Sequence, residues 1–162
     1  MTRHSPYILP PKPISEDIVV FDLDGTLVDT SYKVQHLSYI SLRNFLKLLP
    51  AVPGNVSLAL SLVRLGFKLI FLTGRNESLR EETRYWLTEH QLFGRLFMRS
   101  CYILEEKIPE FKAACIRSIL KRRPRRLIVF DDSIENLFFI LLSSPSVEAF
   151  LVNENTDHMR WI

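Results

Sequence analysis

Hydrophobic positions in this chain fall into two kinds of run, and the two kinds alternate. Short unbroken apolar runs, Ile18-Val19-Val20-Phe21, Leu69-Ile70-Phe71-Leu72 and Leu127-Ile128-Val129-Phe130 among them, read as strands buried on both faces. Between these runs apolar residues recur at the three- and four-residue spacing of a helix face. The predicted order is strand 17–22, helices 32–49 and 54–65, strand 67–72, helix 77–90, strand 95–99, helix 108–122, strand 127–130, helix 133–143 and strand 147–152. Asp29-Thr30-Ser31 caps the first helix, Pro50 and Pro53-Gly54 break it, and Gly66 ends the second. Such alternation implies an α/β fold, a Rossmann-like three-layer sandwich with a five-stranded parallel sheet.

Composition bounds this picture without changing it. A chain of 162 residues, 47% hydrophobic and 24% charged, suits one globular domain, placed at 17–152. Residues 1–16, with Pro6, Pro10, Pro11 and Pro13, read as an extended arm, and 153–162 as a tail in which His158 and Trp161 carry no clear signal. No apolar run approaches a membrane span, and the N-terminus lacks the apolar core of a signal peptide, so a soluble, cytoplasmic protein is expected. Cys101 and Cys115 lack metal-ligand spacing and read as free thiols. The net charge of +3 is compatible with an anionic substrate and demonstrates none.

Chemistry enters at the strand ends. The first strand runs into Asp22-Leu23-Asp24-Gly25-Thr26, two carboxylates where ionised Asp is seldom buried without a partner. A hard divalent cation such as Mg²⁺ supplies one. Strand 127–130 ends likewise in Asp131-Asp132, and adjacent acids there repel unless a cation is present. Strand 67–72 is followed by Thr73-Gly74-Arg75. In a parallel sheet ligands bind beyond the carboxyl ends of the strands, where all three motifs fall. Each also has a plainer reading: an Asp-Gly turn at Asp24-Gly25, and helix caps at Thr73, Asp132 and Ser133.

Asp-x-Asp-Gly-Thr after an apolar strand resembles the first motif of the haloacid dehalogenase-like (HAD) phosphatases. Thr73, Lys112 within Pro109-Glu110-Phe111-Lys112, and Asp131-Asp132 resemble the second, third and fourth motifs in family order. The resemblance implies a Mg²⁺-dependent phosphomonoester hydrolase with Asp22 as nucleophile and Asp24 as general acid and base. It further implies that Thr73 and Lys112 hold the phosphate, and that Asp22, the Asp24 carbonyl, Asp131 and Asp132 hold the metal. Gly25, Thr26, Gly74, Arg75, Arg99 and Lys107 are the further candidates for contact with phosphate or substrate. Lys112 is favoured over Lys107 as the phosphate lysine because it lies in the first turns of a helix, whose N-terminus favours anions.

The 48 residues between Asp24 and Thr73 leave room for one extra helix at most, so the site is expected to have a minimal cap or none. An open site suits a large substrate. Leu96-Phe97-Met98-Arg99, Phe111-Lys112 and Asp131-Asp132 resemble the 3′-phosphatase domain of phage-type polynucleotide kinases, which implies nucleic-acid ends as substrate. The segment from Ser100 to Glu106 departs from that pattern, and Pro-Glu-Phe-Lys also resembles lipin-type domains acting on lipid phosphates. Small-molecule, nucleotide and phosphoprotein substrates stay open, as does a non-catalytic binding module. The basic run from Lys121 to Arg126 precedes its strand, about 17 Å from the strand's far end at about 3.3 Å per residue. It reads first as cations at a helix C-terminus; Lys33, Arg75, Arg99 and Lys107 are nearer the site.

Overall fold

A computed structural model describes residues 16–31, 39–152 and 160–161. Residues 1–15 of the arm 1–16, Lys33, the first part of helix 32–49, and His158 lie outside the described residues. The elements are β1 (Asp17–Phe21), α1 (Tyr39–Leu48), α2 (Pro53–Arg64), β2 (Lys68–Asn76), α3 (Arg80–Glu89), β3 (Arg95–Arg99), α4 (Ile108–Leu120), β4 (Arg126–Asp131), α5 (Ile134–Ser143), β5 (Glu148–Leu151) and β6 (Arg160–Trp161). Single 3₁₀ turns, Glu77–Leu79 and Glu105–Lys107, lead into α3 and α4.

The sheet order is β3-β2-β1-β4-β5-β6. The five expected strands are parallel, with Val19 opposite Leu69 on one side and Ile128 on the other. The sixth, β6, is antiparallel to β5 and comes from the segment expected to be a tail. Two residues make too short a run for an alternation pattern to announce.

Successive side chains of a strand point to opposite faces, and an apolar run covers both. Val19, Phe21, Leu69, Phe71, Ile128 and Phe130 therefore meet Leu46 of α1, Ala59 of α2 and Trp86 of α3. Ile18, Val20, Ile70, Leu72, Leu127 and Val129 meet Ile116 of α4 and Leu137 and Ile140 of α5. Phe21, Phe130 and Phe150 stack across three strands at centroid separations of 4.6 and 5.0 Å. Burial of this order, at roughly 25 cal/mol per Å², fixes the strand ends that carry the polar groups.

One boundary differs in a way that matters. β2 does not stop at Leu72 but continues through Asn76, with a register shift against β3 between Thr73 and Asn76. Such an irregularity re-aims side chains. It leaves the Thr73 hydroxyl accepting from the Arg75 N–H at 3.1 Å.

Candidate active site

Three neighbouring strands, β1, β2 and β4, deliver their last residues to one crevice, where the strand order turns back on either side of β1. Asp22 leaves β1 with its N–H on the Phe130 carbonyl at 2.9 Å. Asp131 ends β4 beside it. Both are buried, and between them lies the ammonium of Lys112, 2% exposed, at 3.0 Å from Asp22 and 2.6 Å from Asp131. Asp131 also accepts from the Ser133 N–H at 2.9 Å and from Asn136 Nδ2 at 3.0 Å.

Burial drives the Asp22 carboxyl well above its ordinary value; Lys112 opposes the shift, and the charges of Asp131, Asp24 and Asp132 add to it. Desolvation works to lower Lys112, but Asp22 and Asp131 outweigh it and the net shift is upward, so the lysine stays charged. Asp132 is exposed overall, yet its carboxylate sits against Gly25. Burial, and then Asp131, push it up to about 6. Oxygens of Asp22, Asp131 and Asp132 lie within 4.8 Å of one another. The set is hard, anionic and only partly neutralised by one ammonium, and this donor chemistry fits Mg²⁺.

Asp24 stands apart from that cluster. Both its oxygens accept from Arg75, Nε at 2.7 Å and an η nitrogen at 2.6 Å, and the other η nitrogen of Arg75 donates to Thr83 at 3.2 Å. Gly25 explains how the turn fits. Its φ is +79°, and a Cβ there would come within 2.1 Å of an Asp132 oxygen.

Of the residues expected at the site, Asp22, Asp24, Thr73, Gly74, Arg75, Arg99 and Lys112 line one cleft of about 390 Å³ with Asn136, Glu105 and Ile108. Several are engaged within the fold. Arg75 grips Asp24. Arg99 donates to the Gly74 carbonyl at 2.8 Å and to the Ile103 carbonyl, bracing the loop after β3. The Gly25 and Thr26 N–H groups are spent on the carbonyls of Val28 and Leu23, and Asn55 binds the Thr26 carbonyl at 2.7 Å, so these two residues shape the turn. Lys107 is exposed, pairs with Glu110 at 3.0 Å and does not line the cleft, whereas Lys112 does. Gly74 lacks a side chain because Ile108 fills that space, a Cβ meeting it at 2.8 Å.

Two further contributors are marked in the sequence only by a polar residue on a buried helical stripe. Asn136 lies four residues before Ile140 on the buried stripe of α5, and Thr83 three and four before Trp86 and Leu87 on that of α3. A polar residue at an inward helical position is a signal for both.

A larger groove, about 460 Å³, lies at the opposite rim among Val63, Phe67, Phe93, Arg95 and Arg122, and the acidic cluster does not reach it. Part of the basic run there is consumed by surface pairs, Arg125 with Asp17 and Arg126 with Glu148.

A family model described as PITM 1-3, LNS2 domain, matches residues 19–131, a span that holds both acidic strand ends. The chain belongs to that family. No curated protein matches the LNS2-type chain significantly. Among solved structures it resembles a chain of a Pnkp1/Rnl/Hen1 complex, at 19% identity and a TM-score of 0.62, over 94% of this chain and 51% of that one. A haloacid dehalogenase-like family hydrolase from Streptococcus pneumoniae is 17% identical, with a TM-score of 0.57 over 83% of each chain. The HAD domain of the effector protein Lem4 from Legionella pneumophila is 12% identical, with a TM-score of 0.61 over 90% of each. The fold is therefore HAD-like, and the LNS2-type chain spans about half the length of the first of these structures. No helix among the described residues is long and apolar enough to cross a membrane.

Proposed function

We propose that this chain is a Mg²⁺-dependent phosphomonoester hydrolase that works through an aspartyl-phosphate on Asp22. The observation that carries the reading is the division of labour among the carboxylates. Asp22 and Asp131 close on Lys112 with Asp132 within reach of both carboxylates, while Asp24 is held apart at the cleft, its side chain 38% exposed. The HAD-like fold and the four motifs in family order support it.

Asp22, Asp131 and Asp132 would hold the metal, with the Asp24 carbonyl as a further oxygen. A bound Mg²⁺ supplies charge neutralisation for the phosphoryl oxygens. The residues do the rest. An Asp22 oxygen forms a bond to phosphorus as the ester P–O bond breaks, and Asp24 gives its proton to the departing oxygen. Water then attacks phosphorus, Asp24 takes the proton of that water, and the Asp22–phosphorus bond breaks to release phosphate. Lys112 and the Thr73 hydroxyl hold the phosphoryl group. Asn136 and the Ser133 N–H keep Asp131 turned toward the centre.

Polynucleotide 3′ ends are the first candidate substrate, from the phosphatase-domain pattern and the likeness to the Pnkp1 complex. Lipid phosphates are the second. Tyr102, Leu104 and Ile134, exposed apolar residues beside the cleft residues Glu105 and Asn136, favour that reading. Phosphate release with Mg²⁺ from 3′- and 5′-phosphorylated oligonucleotides, mononucleotides, phosphopeptides and phosphatidate vesicles decides between them. Preferred turnover of the 3′-phosphorylated oligonucleotide supports the first. Turnover of phosphatidate alone replaces it with the second, and no release from any contradicts the hydrolase.

A further inference from the structure

We propose that Arg75 is the positioning residue of Asp24 and acts on the reaction through that carboxylate, not as a ligand of the phosphate. The proposal rests on the hydrolase reading above. Its basis is the fork geometry. Two nitrogens of one guanidinium meet the two oxygens of Asp24 at 2.6 and 2.7 Å, and the third nitrogen is tied to Thr83 at 3.2 Å. A bidentate pair of this kind fixes the plane of a carboxylate as well as its place.

Burial separates the two roles. Arg75 is 7% exposed and Thr83 fully buried, so the guanidinium is anchored in the body of the fold. Asp24 emerges from it half-exposed at the cleft. All three Arg75 nitrogens are engaged. Among the described residues no other side chain bonds the Asp24 carboxylate. Asp24 must serve two atoms in turn, the leaving oxygen and then the attacking water, and a carboxylate free to swing would serve both poorly. The anchor also ties the acid to α3, whose Thr83 sits on the same inward stripe as Trp86 and Leu87.

A positioning residue for a general acid has a signature that a phosphate ligand lacks. Protonation matters most when the leaving group is a poor one. The test measures kcat and KM with Mg²⁺ for a series of aryl phosphates, from p-nitrophenyl to p-methoxyphenyl, with the wild type, Asp24→Asn, Arg75→Gln, Arg75→Lys and Thr83→Val. The expected result is a steeper dependence of kcat on leaving-group acidity in Arg75→Gln, matching Asp24→Asn. Its loss should be about 10²-fold on the poorest leaving group and small on p-nitrophenyl phosphate, with KM unchanged. Arg75→Lys restores only part, because an ammonium cannot make the fork. Thr83→Val repeats the pattern more weakly, and carries the test should Arg75→Gln fail to fold. A parallel loss across the series with a raised KM makes Arg75 a phosphate ligand and overturns the proposal. So does an unchanged kcat throughout. A wild type inactive on the whole series overturns the hydrolase reading itself.

Discussion

The two rims of the sheet carry similar residue types and use them in opposite ways. At the amino ends of the strands, Arg125 pairs with Asp17 and Arg126 with Glu148, both arginines exposed. Each is one cation against one anion in high dielectric, an arrangement that contributes little. At the carboxyl ends, one buried ammonium stands between two buried carboxylates, with a third carboxylate in reach. The first rim is neutralised locally; the second is built unbalanced. The contrast teaches that burial with incomplete pairing, more than the number of charges, marks where chemistry happens. The basic run is the densest charge in the sequence, yet it lies on the rim without the acidic cluster.

The largest effect expected from the unbalanced rim is on turnover. Asp22→Asn should lower kcat by about 10⁴-fold or more, with the far-ultraviolet circular dichroism of the wild type retained. Phosphate release at the wild-type rate in that variant would remove the nucleophile assignment. Chelation of Mg²⁺ should likewise bring turnover to background, with recovery on adding the ion back.

Stability comes next. Lys112→Met leaves Asp22 and Asp131 buried without their cation, and urea unfolding should register a loss of about 3–5 kcal/mol. A loss no greater than that of an exposed lysine would mean that the buried pairs are not what the geometry says. Conversely, Mg²⁺ at about a hundred times its dissociation constant should raise the stability of the wild type by about 2.7 kcal/mol. Asp131→Asn should abolish that rise, read as a thermal shift.

The smallest effects belong to the other rim. Arg125→Ala with Arg126→Ala should leave kcat unchanged and barely move the unfolding midpoint at neutral pH. Hydrogen bonds from Arg125 and Arg126 hold the carboxyls of Asp17 and Glu148 below their ordinary values of 3.8 and 4.5. A lowered carboxyl contributes stability above its unfolded value and loses it as pH falls through the folded one. The double variant should therefore differ from the wild type less at pH 3 than at pH 6. A marked loss of activity in it would put substrate on the basic rim.

Much of this was legible in the sequence because the core strands are plain apolar runs ending in charge. β3 at 95–99 and the helix through Lys112 follow directly from pattern, and Asp22 and Asp131 from their place after such runs. What pattern could not convey is where a polar side chain turns. Arg75 and Arg99 look like ligands for an anion in a sequence, since nothing local says that a carboxylate or a carbonyl has already engaged them. The continuation of β2 to Asn76 depends on pairing with β3, a non-local matter, and so does the two-residue β6. The Asp-Gly pair signals a turn at Gly25; that this glycine also makes room for Asp132 needs both strands in place.

A nucleophilic Asp22 is itself phosphorylated in the course of the proposed reaction. Enzyme quenched during turnover of a phosphomonoester, reduced with borohydride and digested, should show by mass spectrometry an acyl-phosphate-derived mark on the peptide that contains Asp22 and on no other. Steady turnover with no mark on that peptide, or with the mark on another residue, would contradict the account.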